Sequence, residues 1–438
     1  MNGQRTLISG AWLVDPAGDA IARGDVLFES APRTGALDPG GAILDIGPRL
    51  GAMAPDIHVI EADGQHLAPG LIDMRVTIGE PGAEHKETLK SAGRAAVAGG
   101  VTTMVVTPQT DPVIDDVSLV DFVLRRGFVR SPVRVLPCAA ATKGLAGKAM
   151  SELGLLQEAG AALFSNGDAP IVDSRVMRRI LSYATAFGAL IAHRPQDPFL
   201  AAAGVMHEGD FAARLGLAGI PAAAEAIMAE RDLTLARLTR GRLLLDMVSA
   251  EATLAPLARA KADGAQAFAS VNIHNLTLNE LEIGAYRTFA KLSPPLRSED
   301  DRQALIEAVG AGLIDVIVSG HDPRPAEEKR LPFDEAAFGA AGLETLLPAA
   351  LSLHHDGRLP LPILFRAMTL RPAELLGLPQ GRLAKGAPAD LILFDAGAPF
   401  RFQADMLQSK SKNSPFDGRL FQGRVKTVWV GGAQVSPA

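Results

Sequence analysis

Eight short apolar runs recur through the middle of the chain, most of them followed by a helical stretch. They are LIDMRVTI (71–78), TTMVVT (102–107), VRVLPCAA (133–140), AALFS (161–165), ALIAH (189–193), RLLLDMV (242–248), AFASVNI (267–273) and DVIVSG (315–320). Each has strand length and ends in small or polar residues. Helical periodicity fits the gaps KETLKSAGRAAVAG, SELGLLQEAG, DSRVMRRILSYATAFG, APLARAKADG and DRQALIEAVGAG. Eight β-then-α units in order predict an α/β fold, a (β/α)8 TIM barrel with its chemistry at the C-terminal strand ends. The long gap after the fifth run, 194–241, predicts extra helices.

The flanks have another texture. TLISGAWLVDP, DVLFES, GAILDIGP and HVIEADGQHLAPG read as strands broken at Gly, Pro and Asp. GRLAKGAPADLILFDAG and GRVKTVWVGGAQV return to that style near the end. The expected division is therefore a β-rich unit from 1–66 and 373–438 around a barrel at 67–372. With 438 residues, 47% hydrophobic and 21% charged, the chain can bury a large core, which excludes general disorder. Forty-three basic against 49 acidic side chains, a net charge of −6, excludes a nucleic-acid binder working through a basic surface. The single cysteine, Cys138, excludes an internal disulfide framework and suits a reducing cytoplasm. No signal-peptide pattern opens the sequence and no apolar run approaches the ~20 residues of a membrane span. Nine histidines are enough for a metallohydrolase centre if their positions allow it.

Five collinear stretches carry a resemblance. They are APGLIDMRVTIGEPGAEHKETLKSAGRAAVAGGVTTMVVTPQTDPVID, TKGLAGKAMSELGLLQEAGAALFSNGDAPIVD, SPPLRSEDDRQAL, FGAAGLETLLP and SKSKNSPFDGRLFQGRV. Together the chain resembles the dihydroorotase branch of the amidohydrolase superfamily from near residue 60 to its C-terminus. The resemblance implies a metal-dependent barrel with a small β-sandwich built from both termini. It also implies the reversible closure of N-carbamoyl-L-aspartate to dihydroorotate. In that family one or two zinc ions activate a water, and an aspartate after the last strand moves the proton.

Position by position, the residues that would carry this chemistry differ. Arg75-Val76-Thr77 stands where the family has His-x-His, and Gly79 where it has a substrate-binding arginine. Gln109 and Ser293 replace two asparagines, and Asn166, beside Gly167, replaces the carboxylate after the fourth strand. Arg194 and Met247 take the places of ligand histidines, Gly320 that of the catalytic aspartate, and Arg324 that of a following histidine. A guanidinium has no lone pair and stays protonated, so it repels a metal. The expectation is no catalytic residue and no zinc.

A displaced donor set is the alternative. His193 and Asp246 each precede a ligand position by one residue, and strand alternation turns them toward the surrounding helices. His321 and Asp322 follow a strand end and could reach the mouth, but two donors from one loop do not make a three-ligand zinc site. His274 and Asn275 suit loop hydrogen bonds, and Cys138 a packed thiol. Arg75, Arg194 and Arg324 all map to the mouth, where desolvated like charges repel. They are expected to pair with Asp168, Asp246 or Asp322, or to hold an anion such as phosphate or a dicarboxylate; the alternative is that they splay into solvent.

This pattern resembles the non-catalytic dihydroorotase-like subunit that partners the aspartate carbamoyltransferase catalytic chain. The implied protein is a cytoplasmic structural partner in pyrimidine synthesis, a homodimer or part of a larger hetero-oligomer, without nucleic-acid or membrane partners. Two alternatives stay open. One is an active amidohydrolase with an atypical or metal-free centre, acting on a cyclic amide such as dihydroorotate, hydantoin or allantoin. The other is a sensor that binds an anionic metabolite at the arginines.

Overall fold

The computed structural model describes residues 3–51 and 56–435. All eight runs form barrel strands: Leu71–Val76, Val101–Val106, Arg134–Ala140, Leu163–Ser165, Leu190–His193, Arg242–Leu245, Ala267–Asn272 and Val316–Val318. Each pairs in parallel with the next. The ring closes where Val76 bridges His321 and the Thr77 N–H donates to the His321 carbonyl at 2.8 Å. Nearly every strand residue is buried, as expected for a sheet covered on both faces.

The helices start where the local chemistry favours them. Leu89–Ala98 begins at a reciprocal Thr88–Ser91 capping box, and Glu299–Gly310 at a Ser298–Asp301 box. The insertion after strand five supplies helices Pro198–Ala201, Asp210–Leu215 and Ala222–Thr239. Among the described residues, no helix is long and apolar enough to cross a membrane.

Strands from both termini join one hydrogen-bonded eight-stranded sheet, in which Leu391–Arg401 pairs with His66–Pro69 and with Leu420–Val430. The sheet wraps its own core of Ile8, Phe28, Ile43, Leu67, Leu391 and Trp429. Phe28 and Trp429 meet edge to face at 5.6 Å. A fully buried side chain of this size contributes roughly 1.5–3 kcal/mol.

Between these last long strands the chain crosses back over the barrel, where two carboxylates, the buried Glu87 and the half-buried Glu344, pin it. Glu87 accepts from the Ser91 and Ser409 hydroxyls and the Lys410 N–H. Glu344 accepts from the Gln408 and Ser409 N–H groups at 2.7 and 3.1 Å. Burial pushes the Glu344 carboxyl from its ordinary 4.5 up to about 7, although both N–H groups oppose the rise. Between those values the folded chain keeps a proton that the unfolded chain has lost, so stability falls as pH rises through the window. Glu344→Gln keeps the accepting oxygen without the charge. It should raise the melting temperature at pH 8 and leave it nearly unchanged at pH 5; equal offsets at both pH values in thermal unfolding would contradict this.

Candidate functional site

The first barrel strand ends by driving Arg75, 6% exposed, into the centre of the mouth. Its Nη1 donates to Asp246 Oδ2 at 2.9 Å and its Nη2 to Asp168 Oδ1 at 2.6 Å. Its Nε lies 3.2 Å from the Met247 sulfur. Arg194, after strand five, donates to the same Asp168 oxygen at 2.9 Å and to Gln196 at 2.8 Å. Gln109 grips Asp168 twice, donating to Oδ2 at 2.8 Å and accepting from its backbone N–H at 3.1 Å. Ser270, on strand seven, donates to Asp246 at 2.9 Å.

The charges balance within this lattice. Burial raises the Asp168 pKa, but Arg75 and Arg194 outweigh it and hold the carboxyl below the usual carboxylate range. Burial would lower Arg75, and Asp246 and Asp168 reverse that. Two guanidiniums and two carboxylates therefore occupy the mouth as one ion-paired unit, and Asp168 joins the arginines from strands one and five.

Asp246 departs from the expected orientation. Strand six ends at Leu245, and Met247 adopts φ +55°, so alternation does not extend to residue 246. The carboxylate turns into the mouth rather than toward the helices. His193 does face outward: its Nδ1 meets Asp232 at 2.6 Å and its Nε2 accepts from the Ile171 N–H at 2.9 Å.

Of the remaining positions, Thr77, Gly79 and Arg324 line one cavity with Gln109, and Asn166 and Ser293 are not among its lining. Arg324 pairs with Asp322 at 2.8 Å, apart from the Arg75–Arg194 lattice. Asn166 bonds to Thr142 and to the Leu145 and Ala169 carbonyls, holding its own loop. Thr77 accepts from the Thr107 hydroxyl at 3.3 Å, and Ser293 precedes the cis Pro294. Gly79 has no room for a side chain, because a Cβ would overlap the Ala83 carbonyl. A cavity of about 250 Å³ survives between Thr77, Gly79, Lys86, Gln109, Asp322 and Arg324.

At Gly320, φ is +61° and a Cβ would overlap the Asn272 amide, which is itself bound to His274 at 2.7 Å. Restoring a carboxylate there displaces a packed polar group. Gly320→Asp should cost about 1–3 kcal/mol in chemical denaturation and produce no dihydroorotate turnover. An undiminished unfolding midpoint would show that the space can open.

The donor set does not fit a zinc centre. Asp168 and Asp246 each give one oxygen to arginine and the other to a neutral donor, Gln109 or Ser270, and Arg75 fills the space between them. Among the described residues no three His, Cys, Asp or Glu side chains converge as metal ligands. The His321 Nδ1 accepts from the Gly342 N–H at 3.2 Å, and its Nε2 lies 3.7 Å from Glu87. His274 stacks on Phe416 at 5.2 Å, and burial holds its pKa down to about 3. Burial pushes the Cys138 thiol up, which suits an inert packed side chain.

The closed eight-stranded barrel with its sheet from both termini has the fold of an amidohydrolase-type barrel. A family profile described as Dihydro-orotase-like matches residues 64–250, and one described as Amidohydrolase family matches 222–435. The chain is 41% identical over 379 residues to a dihydroorotase of Anaeromyxobacter dehalogenans, covering 86% of this chain and 88% of that protein. It is 38% identical over 423 residues to a dihydroorotase of Desulforapulum autotrophicum, covering 97% of each. The chain belongs to the dihydroorotase family. Among solved structures it is similar in fold to an L-hydantoinase of Arthrobacter aurescens, with a TM-score of 0.87 and 24% identity over 100% of this chain and 96% of that one.

Proposed function

We propose that the protein is a dihydroorotase-like pseudoenzyme acting as a structural and regulatory partner of the aspartate carbamoyltransferase catalytic chain in pyrimidine synthesis. One observation carries the reading: a buried guanidinium, Arg75, tied to two carboxylates at the centre of the mouth. A metal-activated water needs lone pairs aimed at a vacant cation position, and here the position of the cation belongs to the protein. The barrel and its terminal sheet would then serve assembly, in the cytoplasm, as a homodimer or within a larger hetero-oligomer. Neither zinc nor a nucleic-acid or membrane partner enters this role.

Co-expression with the aspartate carbamoyltransferase of the same organism tests it. The expected result is co-elution on sizing and a transcarbamoylase activity that depends on this chain. Separate elution with a transferase fully active alone would defeat the reading.

The names of the relatives favour a second reading, an active cyclic amidohydrolase with an atypical centre. It requires tightly bound metal, or metal-free turnover of dihydroorotate or a hydantoin. More than about half an equivalent of zinc, with activity lost on chelation, would establish it and displace the first.

A further inference from the structure

The arginines of the mouth spend their charge on carboxylates, but a second cavity on the far side of Arg324 has no such balance. It encloses about 260 Å³, and its charged or titratable lining is His85, Arg324, Glu327, Lys329, Lys410 and Lys412. Ion pairs beside it run from Arg324 to Asp322 and Glu328, and from Lys86 to Glu328. Among the described residues none reaches Lys329, Lys410 or Lys412. These three ammonium groups meet only backbone carbonyls. Lys410 donates to Glu84, Lys412 to Leu407 and Ser409, and Lys329 to Thr288, Lys291 and Ala337.

Carbonyl dipoles orient an ammonium without neutralising it. Asp322 and Glu328 neutralise Arg324, but Lys329, Lys410 and Lys412 share only Glu327 among the lining carboxylates, which leaves a positive potential in a partly enclosed space, where the protein screens charge less than water does. Lys329 is the buried member of the three, at 2% exposed. Burial pulls its pKa from 10.5 down to about 7; Asp322 opposes the fall, and Arg324 and Lys291 reinforce it. The Arg324 Nε is also a buried donor without a hydrogen-bond partner among the described residues.

We propose that this cavity binds a phosphoryl group, either as a free phosphate or pyrophosphate ion or as part of a larger phosphorylated metabolite. Lysine ammonium groups act on phosphate as point charges, and the Arg324 guanidinium adds directed N–H donors. The volume lies just below the ~300–1,000 Å³ of sites that enclose drug-sized ligands, which suits one or two phosphoryl units with any carrier left outside. The proposal does not depend on the assembly reading, because binding is measured on the isolated chain.

The test is calorimetric titration of the full chain with pyrophosphate and, separately, with ATP, alongside sodium chloride at matched ionic strength. Saturable binding of pyrophosphate, with a rise in melting temperature, is expected. Lys410→Gln/Lys412→Gln should weaken it at least tenfold, and Lys148→Gln, at an exposed lysine elsewhere, should leave it unchanged. Lys412 also holds its loop, so Lys410→Gln alone provides a variant whose lysine touches only the surface carbonyl of Glu84; it should weaken binding at least threefold. ATP binding as tight as pyrophosphate or tighter assigns the site to a carried phosphate, and binding of pyrophosphate alone assigns it to the free ion. Absence of saturable binding by either probe, a response matched by sodium chloride, or unchanged affinity in both lysine variants would overturn the proposal.

Discussion

Arg75→Met is expected to destabilise the chain by about 3–5 kcal/mol, because it removes one member of a buried charge set and leaves the others in place. Asp246, whose side chain is 5% exposed, would keep only the Ser270 hydroxyl; Asp168, at 38%, would keep Arg194 and Gln109. The cost should therefore fall mainly on Asp246. Arg75→Met/Asp246→Asn removes the stranded charge and should recover at least about 1.5 kcal/mol of the loss. Denaturant midpoints of the wild type, both single variants and the double variant close the cycle. A loss below about 1 kcal/mol for Arg75→Met would mean that water or a rearranged side chain compensates Asp246. The same variant addresses chemistry, since methionine restores no lone pair suited to zinc: no dihydroorotate turnover should appear even with zinc added.

On the proposed reading, the ion-paired mouth is how a metallohydrolase scaffold is kept without its metal. A mouth with neither metal nor arginine would leave Asp246 buried without a counter-charge. Arginine at positions 75 and 194 supplies that counter-charge covalently, and the lattice forms around Asp168. The packing follows the same course: Asn272 fills the space beside Gly320, and Met247 sits against Arg75. Charge and volume are thus both compensated within the barrel.

Strand order and the placement of every barrel strand were legible because parallel βα units repeat a short-range apolar pattern. His193 was legible for the same reason, since it is still inside a regular strand. Asp246 was not, because it lies one residue past the end of its strand and a left-handed residue follows. The pairing of Arg75 with Asp168 could be named only as one of several partners; three loops of separate origin decide it. Gln109 was legible as a replaced position but not as the clamp on Asp168. The Glu87–Ser409 contact spans 322 residues, so local sequence carried no trace of it. The lysine cavity was missed for a related reason: Lys329 and Lys410 belong to different segments, and each alone reads as a solvated charge.

Arg134→Met should match or exceed the Arg75 variant in its effect on stability, and its consequence should be regional. Arg134 opens the third barrel strand, and its guanidinium donates to both oxygens of Asp390, at 2.8 and 3.1 Å. It also donates to the Asp38 and Pro39 carbonyls, in the loop between two strands of the terminal sheet. Side-chain exposure is 3% for Arg134 and 1% for Asp390, so water does little to screen the pair. Asp390 in turn accepts from the Gly431 N–H at 2.6 Å, which ties a second terminal segment to the same point. Methionine preserves much of the volume and the apolar stem but strands a carboxylate and two carbonyls. The expected loss is about 3–5 kcal/mol, with the terminal sheet loosening before the barrel. Limited proteolysis should cut first within 1–66 or 391–435 in the variant, at a denaturant concentration where the wild type resists. Arg134→Met/Asp390→Asn should regain part of the loss, because the uncompensated charge is gone. Simultaneous cleavage of barrel and sheet, or a variant as stable as the wild type, would show that this ion pair does not hold the two regions together.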